Sequence, residues 1–172
     1  CHLVIDPINQ DKELNVVCII RDKKYDPKNI KFLIKQKVLN QNLNLEKIFD
    51  GDLKSWPLYS TPSILPSNNS KVFYIGDAFN GFLPTLAQGA GQSIESAFEL
   101  FDLLKGENLD IQNTYFLNRV KRAKIIRNRS NFNFFVFHFS NKVMQRIRNF
   151  FMRFLVKRKK FINSYLGKVY KD

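Results

Sequence analysis

The chain has 172 residues, with 28 Lys and Arg against 15 Asp and Glu for a formal charge of +13, and is 44% hydrophobic and 14% aromatic. Apolar content this high and evenly spread excludes intrinsic disorder, and seven Gly and six Pro exclude a collagen-like or Gly/Pro low-complexity chain. Two cysteines, Cys1 and Cys18, give neither a disulfide scaffold nor a metal-site spacing, so a reducing, cytosolic compartment is expected, and no uninterrupted run of about 18 apolar residues is present to span a bilayer.

In chain order, His2 to Pro7 and Leu14 to Arg21 are strand-like runs rich in β-branched residues, separated by the polar stretch Asn9 to Glu13. They predict an antiparallel hairpin. Two strands make only a marginal sheet, so further strands are expected to lie upstream, and the chain reads as entering a domain part-way through. From Pro27 to Leu39, Ile30, Leu33, Ile34 and Val38 share one face of a helix, with Asp26 as N-cap and Pro27 in the first turn. Leu43 to Phe49 adds a short helix before the turn at Asp50-Gly51-Asp52, and Trp56 to Tyr59 reads as a strand. A Pro- and Ser/Asn-rich loop, Pro62 to Ser70, leads to Lys71-Val72-Phe73-Tyr74-Ile75-Gly76-Asp77, predicted to be a short buried strand ending in Gly-Asp.

A loop from Ala78 to Ala87 then opens a helix near Gln88-Gly89-Ala90-Gly91, stopped by Gly106. Its apolar stripe is Ile94, Ala97, Phe98, Phe101 and Leu104, with Glu95, Glu99 and Asp102 off it. A second helix, about Ile111 to Arg129, is expected to bury Phe116, Val120, Ala123 and Ile126. A third, about Lys142 to Lys157, carries Val143, Ile147, Phe150, Phe151 and Phe154.

Charge is divided unevenly. Residues 1 to 118 hold 12 Lys and Arg against 14 Asp and Glu, whereas residues 119 to 172 hold 16 Lys and Arg and only Asp172. The tail interleaves this charge with aromatics, from Arg146 through Lys160. Three readings follow: a C-terminal helix whose Phe stripe packs on the rest of the chain, which is the expectation; contact with an anionic membrane surface; and nucleic-acid binding, the weakest because no RNA-binding fold signature is present. His2 and His138 are the only histidines, which excludes a multi-histidine metal site; His138 is expected to pack among Phe134, Phe135, Phe137 and Phe139, and Cys18 to be an inert core thiol.

The Gly-Asp strand end, Pro-containing loop and Gly-rich helix start suit a ligand with hydroxyls and an electron-rich end. Asp77 can accept from polyol hydroxyls, Gly76 permits a tight turn, and Gly89 and Gly91 let backbone N–H groups at a helix N-terminus approach a ligand. Taken singly, these residues are equally compatible with a turn cap and helix packing.

The whole string is more specific. Val72 to Ala78, followed by Leu83-Pro84-Thr85-Leu86-Ala87-Gln88-Gly89-Ala90-Gly91-Gln92-Ser93-Ile94-Glu95-Ser96-Ala97, resembles the second FAD-binding motif of the single-component flavoprotein aromatic hydroxylases, most closely the salicylate hydroxylase branch. The hairpin resembles the end of that family's substrate sheet, Trp56 to Tyr59 the strand returning to its flavin domain, and Tyr115, Arg119, Arg122, Ser130, Asn131 and His138 its C-terminal helices. The fold class implied is α/β, an α+β fragment: 1–60 the end of the substrate-sheet region, 61–106 the FAD-binding strand, loop and helix, and 107–172 basic C-terminal helices.

The resemblance implies a monooxygenase that hydroxylates a small aromatic substrate with FAD, NAD(P)H as reductant and O₂. Asp77, after the turn at Gly76, would bind the flavin ribityl hydroxyls, Pro84 would line the flavin ring on its reactive side, and the N–H groups of Ala90 and Gly91, at the helix start that Gly89 opens, would face flavin N1 and O2. No catalytic residue is implied. Phe79 and Asn80 stand where the family usually has Ala-His, and Ser96 where it has Asp. No Gly-x-Gly-x-x-Gly for the ADP half of FAD occurs in this sequence. The alternative is a non-catalytic remnant or module acting through its basic tail.

Overall fold

A computed structural model describes residues 1–21, 26–38, 46–49, 51–66, 71–107 and 110–170. The chain is mixed α and β and divides into two compact units, Cys1–Leu58 and Tyr59–Asp172.

In the first unit, β1 (His2–Ile8) and β2 (Glu13–Ile19) form the expected antiparallel hairpin, in the register Leu3 opposite Cys18 and Ile5 opposite Val16. Its turn puts Asn9, Gln10 and Asp11 at positive φ, and Asn9 and Asp11 are side chains that tolerate this region. Opposed residues of an antiparallel pair share a face. Leu3, Val16 and Cys18 accordingly pack together against Ile34, Val38 and Phe49. Asp26 caps the following turn as expected, its carboxylate accepting from Lys28 N at 3.0 Å; a 3₁₀ turn at Pro27–Asn29 runs into α1 (Ile30–Lys37). Of the expected helix at 43–49, a 3₁₀ turn at Glu46–Phe49 is seen; residues 43–45 and Asp50 lie outside the described residues.

The second unit is built on α2 (Gly89–Lys105) and α3 (Ile111–Phe137), followed by α4 (Lys142–Leu155), α5 (Lys159–Tyr165) and α6 (Gly167–Tyr170). Capping starts two of them: Asp110 accepts from Asn113 N, and Asn141 from Val143 N. α3 is longer than the sequence predicts, 27 residues or about 40 Å. Phe116, Ala123 and Ile126 are buried on it as expected, and Phe79, Tyr115, Phe116 and Ala123 form the centre of the core with Phe73, Tyr74, Phe82, Leu100, Leu103 and Val120 around them. α5 and α6 are tied back to α3: Arg122 donates to the carbonyl of Val169, and Arg129 to those of Ser164 and Tyr165.

Three expectations are overturned, and the apolar stripe of α2 lies on its exposed side. Residues 71–75 form no regular strand, and Val72 and Ile75 are exposed; no strand runs alongside them among the described residues, so the β-branched sequence has no ladder to join. Trp56 to Tyr59 is likewise irregular and largely exposed. The α2 stripe faces outward, with Ile94 72% and Phe98 65% exposed, because α3 takes the polar side of α2 instead. The α4 stripe is exposed throughout: α4 meets the end of α3 through polar groups, Arg148 donating to the carbonyl of Val136 and Gln145 to that of Phe139.

Candidate functional site

The segment from Gly76 to Gly91 holds every residue predicted for the site. Gly76 has φ +57°, and a Cβ there would lie 2.5 Å from Ser93 Oγ on α2; both facts demand glycine. Its N–H donates to Ser96 Oγ at 3.3 Å, and Ser96 is itself buried, donating back to Gln92 O. Ser96 therefore holds the Gly76 turn against α2 in the place where the resembled pattern has Asp. The 3₁₀ turn Gly76–Ala78 leaves Asp77 exposed.

Phe79 and Asn80 then turn inward, 3% and 1% exposed. Asn80 Oδ1 accepts from Ser63 Oγ at 3.2 Å and from the Arg127 guanidinium, which also donates to Ser63. The loop is further braced by Thr61 N donating to Gly81 O at 3.0 Å and Ile64 N to Phe79 O at 2.8 Å. Asn80, one of the two departures from the resembled motif, is thus a buried strut.

Pro84 begins a second 3₁₀ turn, Pro84–Leu86, pinned to α3 on both sides. Thr85 Oγ1 donates to Ser130 O at 2.7 Å, Ser130 Oγ donates to Leu83 O, and Asn133 donates to Thr85 O. Pro84 itself is exposed. Ala87 at φ +51° then turns the chain into α2.

At the start of α2, Gln88 makes no side-chain cap, so the first-turn N–H groups have no side-chain acceptor from the N-cap. Nothing lies within 4 Å of where a Cβ would stand on Gly89, and the nearest atom for Gly91 is Gln88 Oε1 at 3.7 Å. The helix start is open space bearing partial positive charge. Of the residues predicted for the site, Asp77, Pro84, Ala90 and Gly91 are exposed, and Gly76 and Gly89 are partly buried.

Sequence reasoning missed the charged network behind this surface. Arg119, only 4% exposed, donates to Glu95 at 2.8 Å, Glu99 at 3.0 Å and Gln92 Oε1 at 2.8 Å, while Arg122 donates to both oxygens of Glu95. Burial alone would push the Glu95 carboxyl up, but the hydrogen bonds and charges of Arg122 and Arg119 outweigh it and hold it below the ordinary range. The available signal was Glu95 and Glu99 one turn apart, with Arg119 and Arg122 one turn apart on the next helix. Outside this segment, burial pushes the Cys18 thiol up, as suits an inert thiol, and His138 packs on Phe134 with ring centroids 4.3 Å apart. His2 is half-buried in β1.

No protein-family model and no solved structure matches this chain. Two curated proteins do. It is 31% identical over 97 residues to 3-amino-4-hydroxybenzoate 2-monooxygenase of Streptomyces platensis, covering 55% of this chain and 24% of that protein. It is 35% identical over 112 residues to an FAD-dependent monooxygenase of Aspergillus candidus, covering 62% of this chain and 23% of that protein. The chain spans about a quarter of the length of the curated relatives it matches.

Proposed function

We propose that the chain carries the flavin-ring side of the FAD site of a flavoprotein monooxygenase that hydroxylates a small aromatic substrate, with NAD(P)H as reductant and O₂ as oxidant. The observation that supports this reading is the Gly76 turn: a positive-φ glycine packed on Ser93 and bonded to Ser96 is followed directly by an exposed Asp77, in a chain similar to two monooxygenases. Asp77 accepts from ribityl hydroxyls, Pro84 lines the ring, and the N–H groups of Gly89, Ala90 and Gly91 face flavin N1 and O2. Bound FAD supplies the redox chemistry; the chain's residues orient it and stabilise negative charge on the reduced ring. In this reading residues 1–60 end the substrate sheet, 61–106 form the flavin contact and 107–172 brace it from behind.

The test is riboflavin binding by the 172-residue chain, followed by fluorescence anisotropy. Saturable binding is expected, and Asp77→Ala should weaken it about ten- to a hundredfold, the worth of a charge-assisted hydrogen bond of roughly 1.5 to 3 kcal/mol. Unchanged affinity in Asp77→Ala contradicts the role given to Asp77.

A further inference from the structure

The strongest feature that the flavin reading leaves unused is α4. Its 14 residues, about 21 Å long, carry a broad exposed apolar face. One face carries Val143, Met144, Ile147, Phe150, Phe151 and Phe154, exposed by 61, 41, 45, 72, 55 and 52%. Lys142, Arg146 and Arg153, continued by Lys157 in the next turn, line one edge of that face. Arg148 flanks the apolar face on its other edge, and Arg158 lies over the Phe154 ring at 4.1 Å. The helix is not loosely placed: Arg148 holds Val136 O at 3.2 Å and Gln145 holds Phe139 O at 2.8 Å, so its polar edge is docked on the end of α3 and its apolar face is held outward.

We propose that α4 docks in the plane of an anionic lipid bilayer, its Val-Ile-Phe face entering the acyl boundary and Arg146, Arg153 and Lys157–Lys160 meeting the headgroups. This is independent of the flavin reading. Charge complementarity selects the occupant. From Ile111 to Lys171 there is no Asp or Glu, so a second copy laid face to face would oppose cation to cation with no countercharge on these helices. Nucleic acid would match the charge but has no use for the aliphatic part of the apolar face, Val143, Met144 and Ile147. An anionic bilayer satisfies the apolar face and its basic edge at once, in the manner of interfacial amphipathic helices. Among the described residues no helix is long and apolar enough to cross a membrane, which fits a helix lying on one.

The experiment is co-sedimentation of the 172-residue chain with vesicles of phosphatidylcholine, with and without phosphatidylserine, across a salt series. Expected is binding that requires phosphatidylserine and fades as salt rises. The double variant Phe150→Ser with Phe154→Ser should lower vesicle binding about tenfold or more while leaving the melting temperature in place, because both side chains are already exposed. The triple variant Arg146→Gln, Arg153→Gln, Lys157→Gln should abolish the preference for phosphatidylserine. Absence of vesicle binding by the unaltered chain overturns the proposal, as does vesicle binding indifferent to the Phe changes. So does Phe-dependent dimerisation without lipid, or Phe-dependent binding of poly(U) that persists when vesicles are not bound. A fall in melting temperature in the Phe variant also counts against it, because it would mean the face is buried in solution.

Discussion

Arg119 of α3 reaches Glu95 of α2 at 2.8 Å, and its side chain is 5% exposed against 28% for Glu95. This pair, extended by Glu99 and Arg122, turns the polar side of α2 toward α3 and its apolar stripe outward. It also fixes the helix whose first turn the flavin reading uses.

Removing Arg119 takes the cation from Glu99, while Glu95 keeps Arg122. Arg119→Met should cost about 3 kcal/mol, the lower end for a buried pair because Glu95 and Glu99 keep some solvent. Urea unfolding checks this; a loss below about 1 kcal/mol would show that the network is only incidental to the packing of α2 on α3.

Glu95 also makes stability depend on pH. Its folded pKa is held below the ordinary value of 4.5, so its contribution is complete above that value and is lost as pH falls through the lower, folded one. Acid unfolding should therefore steepen below about pH 4.5, and Glu95→Gln should flatten that limb while lowering stability at neutral pH. Melting temperatures of the two proteins across the acid range decide it; parallel curves would contradict the assignment.

Two glycines of the site should behave in opposite ways. Gly76→Ala forces a Cβ to 2.5 Å from Ser93 Oγ at φ +57° and should cost about 1 to 3 kcal/mol. Gly89→Ala meets nothing within 4 Å and should leave stability within about 0.5 kcal/mol, yet weaken flavin binding by crowding the helix start. Thermal melts and riboflavin titrations of both variants separate the effects. Equal destabilisation by the two would remove the distinction between a folding glycine and a ligand glycine.

Much of this was legible in residues alone. The hairpin, the Asp26 cap, the start of α2 and the burial of Phe116, Ala123 and Ile126 follow from local pattern, and local pattern decides them. Periodicity located the stripes of α2 and α4 but did not say what covers them, and both are exposed because hydrogen bonds and ion pairs set how those helices dock. Val72 to Ile75 has strand propensity, which is realised only beside another strand. The Asn80 strut was invisible because its partners, Ser63 and Arg127, lie 17 and 47 residues away.

The central claim is that this chain contacts the ring and ribityl half of FAD and not its ADP half. Competition dialysis of the 172-residue chain against riboflavin, FAD and ADP tests it most directly. The account predicts that FAD displaces riboflavin from one site with affinity within about threefold of riboflavin's own, a difference below about 0.7 kcal/mol, while ADP displaces neither. Binding of neither flavin at millimolar concentration, or displacement of FAD by ADP, would contradict it.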